Sequence, residues 1–96
     1  MNYKNQNLAL GKRVNDLLER MKLEEKIAQL SRARLGDCIS DLENYTVSSE
    51  LAAENIPHGC GYMSRIGGAT DLRPEEMAVL MNEIQRFFYE ETRLGI

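Results

Sequence analysis

The stretch Gly59-Cys60-Gly61-Tyr62-Met63-Ser64-Arg65-Ile66-Gly67-Gly68-Ala69-Thr70-Asp71-Leu72 precedes a long amphipathic run that closes on Glu91-Thr92-Arg93-Leu94-Gly95-Ile96. Residues 59 to 64 alternate small or apolar side chains between Pro57-His58-Gly59 and Gly67-Gly68, which predicts one short β-strand there. So short a strand must pair with something, and the natural expectation is a sheet beyond residue 96. After it, Met77, Leu80, Met81, Ile84, Phe87 and Phe88 recur at helical spacing and predict a helix over 74 to 94. Pro74 suits its first position, Glu75 and Glu76 suit the positive end of the helix dipole, and Gly95 supplies a left-handed stop. By their period these six apolar residues are core, yet no partner for them is evident in the sequence.

Upstream, Val14, Leu17, Leu18 and Met21 follow the i, i+3, i+4, i+7 pattern of an amphipathic helix. Leu23, Ile27 and Leu30 are helically spaced too but point the opposite way, so two helices are expected, 11 to 21 and 23 to 33, with a tight turn near Lys22. Glu24 and Glu25 at the start of the second, and Arg32 and Arg34 at its end, agree with its dipole, and Gly36 is its expected stop. From Asp37 to Val47 no period is sustained and Asp, Asn, Ser and Thr mark a connection. Ser48 is placed to cap a short helix over 49 to 54, which Pro57 keeps from continuing. The fold class expected is mainly α with one short β-strand, over a single segment, 1–96.

Twelve basic and fifteen acidic residues, interspersed and summing to −3, give no positive field for a phosphate backbone, so no nucleic-acid partner is expected. Nor is a membrane partner, because no eighteen consecutive residues are apolar. Met1 to Asn7 lacks the apolar core of a secretory leader. Cys38 and Cys60 have no CxxC spacing and no clustered His. Two reduced, partly buried thiols and a cytoplasmic location are therefore expected, with no metal and no cofactor.

Two blocks carry a family resemblance. Val14-Asn15-Asp16-Leu17-Leu18-Glu19-Arg20-Met21-Lys22-Leu23-Glu24-Glu25-Lys26-Ile27-Ala28-Gln29-Leu30 resembles the opening segment of family 3 glycoside hydrolases, the β-glucosidases and β-xylosidases. Ile56 to Ile96 resembles their next block, through Ser64-Arg65-Ile66-Gly67-Gly68 and Thr92-Arg93-Leu94-Gly95-Ile96. Lys22 departs from the family's usual Thr, a lost helix cap that predicts a looser turn, while Arg73 and Cys60 replace a common Ser and a common branched residue. What the resemblance implies is an incomplete N-terminal part of a (β/α)8 TIM-barrel hydrolase domain, the barrel itself absent. The intact enzyme would remove terminal β-linked glucosides or xylosides by a retaining, two-carboxylate mechanism. Its nucleophile and acid/base would lie downstream, so this chain is expected to hold no catalytic residue and to be inactive alone.

Set beside that expectation, the fifteen carboxylates offer little chemistry of their own. Glu24-Glu25, Glu75-Glu76 and Glu90-Glu91 are adjacent on helices and are expected to point apart into solvent. His58 stands in a turn with no nucleophile or second ligand at useful spacing. Arg65, beside Gly67 and Gly68, is the one candidate for substrate contact, although a tight turn placing the long helix is the simpler role. A second reading of the whole chain is a small helical interaction module that self-associates or binds a partner through the stripe from Met77 to Phe88.

Overall fold

A computed structural model of the chain describes residues 2–41 and 46–96. Four α-helices lie among them: α1 (Leu10–Arg20), α2 (Leu23–Gln29), α3 (Ser49–Asn55) and α4 (Pro74–Glu91). Four short strands accompany them: β1 (Arg32–Arg34), β2 (Ile39–Asp41), β3 (Thr46–Val47) and β4 (Tyr62–Ser64). The molecule is mainly helical, and these strands close no barrel.

The break between α1 and α2 falls at Met21 and Lys22, where the apolar face reverses. Lys22 makes no side-chain cap, as its sequence predicts, but the Glu25 carboxylate accepts the Lys22 N–H at 2.8 Å. The same arrangement recurs twice. Asp37 receives the Arg34 N–H at 2.8 Å, and Glu76 the Arg73 N–H at 2.9 Å. In each case the carboxylate three residues on accepts the cap residue's own N–H, which is one half of a capping box, while the cap side chain itself accepts nothing. Ser48 caps α3 directly, its hydroxyl accepting the Leu51 N–H at 3.1 Å.

The second helix is shorter than its period predicts. It ends at Gln29, and Arg32–Arg34, expected on its last turn, forms β1. The reason is a tertiary pairing invisible to local period: β1 runs parallel to β4, with Arg32 opposite Tyr62, Ala33 opposite Met63 and Arg34 opposite Ser64. The strand expected over 59 to 64 is confined to 62–64, because Gly59 turns with φ 81 and donates its N–H to the Ile56 carbonyl. Its partner is thus within the chain rather than beyond it. Gly36 ends no helix but sits in a 3-10 turn, Leu35–Asp37. The expected connection over Asp37 to Val47 contains an antiparallel pair, β2 with β3, and its residues 42–45 lie outside the described residues.

The stripe of α4 also finds its partner inside the chain, contrary to expectation. Leu80, Ile84, Phe87 and Phe88 are buried against Ala33, Leu35, Cys38, Ile39, Ala52 and Ile56, with Met63 and Met81 packed at the margin. Phe87 and Phe88 meet edge to face with centroids 5.6 Å apart. The core is therefore a helix, α4, laid over β1 and its neighbours, with α3 in the connection from β1 to the parallel strand β4. By contrast α1 buries no residue, and Leu23, Ile27 and Leu30 of the next segment face solvent, Leu30 at 88% exposure.

Candidate functional site

Two features built from charged side chains stand out. The first joins the two sequence blocks. Helix α2 places Glu25 on its inner side at 4% exposure, the one buried charged residue among those described. Arg93, beyond the end of α4, donates from Nε to Glu25 Oε1 at 2.7 Å and from Nη2 to Oε2 at 2.6 Å. Nη2 also donates to the Arg20 carbonyl at the end of α1, at 2.7 Å. One guanidinium therefore ties α1, α2 and the end of α4 together in a two-point carboxylate fork. Arg93 and the Lys22 amide hold the Glu25 carboxyl down to about 2, well below the ordinary carboxylate value.

This clamp explains why α4 stops at Glu91 and not at residue 94. Thr92 turns its hydroxyl to the Phe88 carbonyl, Arg93 swings to Glu25, and Leu94 is buried with its carbonyl accepting the Tyr3 hydroxyl at 2.7 Å. Gly95 takes the expected left-handed conformation, φ 74, four residues past the helix. Tyr3 is held in turn by Arg13, which donates to its carbonyl at 2.9 Å, and by Asp16, which accepts its N–H at 2.9 Å. Among the described residues no buried side-chain nitrogen or oxygen lacks a hydrogen-bond partner, so the assembly is built to hold geometry.

The second feature contains Arg65. It follows β4 directly, is exposed, and adopts φ 59, the one non-glycine residue with positive φ among those described. With Arg32 and Arg34 it lines an open cleft of about 420 Å³ that also includes Asp37 and Ser64. The glycines beside it form a 3-10 turn, Gly67–Ala69, ahead of α4.

Other candidates fall apart spatially. Glu24 is exposed, but Glu25 is buried and paired, which corrects the expectation that this pair points into solvent; Glu75, Glu76, Glu90 and Glu91 are exposed. His58 is exposed on the surface. Cys38 is buried and Cys60 partly so, both as free thiols. Burial pushes the Cys38 thiol up to about 11, with Asp37 adding to it, and burial raises Cys60 as well. Neither is poised as a thiolate nucleophile at neutral pH. Among the described residues no three of His, Cys, Asp or Glu gather closely enough to hold a metal ion. No helix among the described residues is long and apolar enough to cross a membrane.

Local sequence could not reveal the Glu25–Arg93 pair, whose members lie 68 positions apart. The one local signal was Glu25 three residues after the missing cap at Lys22. For Arg32 and Arg34 the signal was misleading, because basic residues after a helical period read as a helix end.

No family model matches the chain. Among curated proteins it is 36% identical over 95 residues to a probable beta-glucosidase C of Aspergillus oryzae, an alignment that takes in 98% of this chain and 15% of that protein. It is 32% identical over 96 residues to a putative beta-xylosidase of Formosa agariphila, covering 98% of this chain and 12% of the relative. The chain thus spans about one seventh of the length of the curated relatives it matches, and is similar to one segment of proteins with glycoside hydrolase names.

Proposed function

We propose that these residues are the opening structural segment of a retaining glycoside hydrolase of family 3, acting on terminal β-linked glucosides or xylosides. The observation that carries the proposal is the alignment of nearly the whole chain with proteins named beta-glucosidase and beta-xylosidase. Support comes from the parallel pair β1 and β4, whose connection holds the β2–β3 hairpin and α3 and which α4 follows, a strand-to-strand crossover of the kind from which a (β/α)8 barrel is built. On this reading the segment contributes two strands and two helices of that barrel, and α1 and α2 are an extra layer fixed to it. The Glu25–Arg93 clamp sets the path of the chain at Leu94, Gly95 and Ile96, from which the next strand would start.

The chemistry of the intact enzyme would need two carboxylates about 5 Å apart across the glycosidic bond, one to attack the anomeric carbon and one to protonate the leaving oxygen. In this chain Glu25 is the one buried carboxylate described, and Arg93 keeps it ionised and occupied. It can neither donate a proton nor approach a sugar. Accordingly the purified 96-residue chain should hydrolyse neither aryl β-glucosides nor aryl β-xylosides. Turnover well above a heat-killed control, abolished by Glu25→Gln, would contradict the assignment of a purely structural role.

The alternative of self-association through the α4 stripe gains no support from the packing. Its largest members, Leu80, Ile84, Phe87 and Phe88, are already covered within one chain.

A further inference from the structure

Of the eight arginines in the sequence, Arg20, Arg73, Arg86 and Arg93 reach carboxylates and Arg13 donates to the Tyr3 carbonyl. The remaining three, Arg32, Arg34 and Arg65, make no ion pair among the described residues. They are also the three that line one cleft. In a chain with a net charge of −3, these three arginines are gathered where Asp37 is the one acidic side chain among the described lining residues.

The strand register explains how they meet. Ala33 is buried in the core and Met63, its partner, packs against it. Because side chains alternate along a strand, Arg32 and Arg34 of β1 and Ser64 of β4 stand on the opposite face. Arg34 and Ser64 are the last residues of their strands, and Arg65 follows at once. The cleft therefore opens at the carboxyl end of a parallel pair, the edge at which α/β sheets bind ligands. Asp37 is the one acidic residue lining it, and its Oδ2 already accepts the Arg34 N–H. Three arginines and one aspartate thus line the same space, a formal charge of +2. Arg65 keeps its left-handed backbone without being glycine, an outlier of the kind that clusters at ligand sites.

We propose that this cleft is an oxyanion subsite that takes the carboxylate or phosphate of a charged sugar. Arg34 and Arg65 grip the anion with planar donor pairs, Arg32 adds charge from the preceding position of the same face, and the Ser64 hydroxyl meets a sugar hydroxyl. The anion half of the proposal stands on the cleft itself; the sugar half rests on the glycosidase reading above.

The test is titration of the isotopically labelled 96-residue chain at constant ionic strength, following the Ser64 and Arg65 amides and the arginine Nε–H signals by NMR. The probes are glucuronate, glucose 6-phosphate, inorganic phosphate and glucose. Saturable binding of one charged sugar, tighter than inorganic phosphate and absent for glucose, is the expected result, and the preferred sugar identifies the anion as carboxylate or phosphate. Arg34→Gln and Arg65→Gly should each weaken it about tenfold, the loss of one charge-assisted contact. The melting temperature should be unchanged in the first variant and unchanged or raised in the second, where glycine relieves the backbone. No saturable binding by either charged sugar, or affinity in both variants unchanged from that of the native chain, overturns the proposal. Equal binding of inorganic phosphate and the charged sugars overturns the sugar assignment alone. All three outcomes are independent of whether the segment supports hydrolysis in a full-length enzyme.

Discussion

At the scale of single residues, Glu25 and Arg93 carry the largest consequence. Replacing Arg93 by Ala leaves a carboxylate at 4% exposure without its main partner. The guanidinium itself is half exposed, so the loss falls short of that for a fully buried pair and is read as a lowered urea midpoint. The pH dependence has a definite sign. The folded carboxyl titrates at about 2 against an ordinary 4.5, so its stabilisation is complete above 4.5 and is lost as pH falls from there toward 2. Glu25→Gln should therefore flatten the fall in urea midpoint between pH 5 and pH 3 relative to the native chain; an unchanged slope would show that the pair contributes nothing. Gly61 makes a second residue-scale case. A Cβ there would collide with the Gln29 carbonyl, just where Gly61 N–H donates to the Ser31 carbonyl at 3.0 Å. Gly61→Ala should cost about 3 kcal/mol by overpacking against backbone, measured by denaturant unfolding, whereas Gly68→Ala, with nothing within 4 Å of the added carbon, should cost little.

At the scale of elements, α4 holds the core and its two faces should respond differently to truncation. Ile84 is 1% exposed, so Ile84→Ala should destabilise by about 3 to 5 kcal/mol, while Val79→Ala, at 64% exposure, should stay within about 0.5 kcal/mol. Similar effects at the two positions would mean that the helix packs through another face. This element was legible in the sequence because its signal is local: a sustained apolar period, Pro74 at its start and acidic residues in its first turn. The break between α1 and α2 and the cap at Ser48 were legible for the same reason. What local pattern could not carry was β1. Arg-Ala-Arg has no strand-like alternation of bulk, and its strand character comes from β4, thirty positions later. The end of α4 was overestimated on similar grounds, since its period runs on while Arg93 and Leu94 are drawn off by Glu25 and Tyr3. Of the candidate site, the sequence singled out Arg65 but not Arg32 or Arg34, because their meeting depends on the parallel register.

At the scale of the whole molecule, the first two helices are open to solvent. The Cα radius of gyration is 14.6 Å, above the roughly 12.5 Å of a compact domain of this length, and α1 buries no residue of its own. Leu10, Leu23, Ile27 and Leu30 are all more than half exposed on the first two helices. The core, in contrast, is closed, with α4 covering β1 and the clamp fixing where the last residues lie. The central claim is that these residues shape and position a glycoside hydrolase while the reacting groups lie elsewhere. It is tested most directly by substitution into a relative: the matching segment of the Aspergillus oryzae beta-glucosidase C is exchanged for this chain, and aryl β-glucoside hydrolysis is measured beside the parent and a segment-deleted form. The account predicts a folded chimera with activity within about tenfold of the parent, lowered further by Arg93→Ala, and no activity after deletion. A folded chimera without activity, or a deleted form as active as the parent, would contradict it.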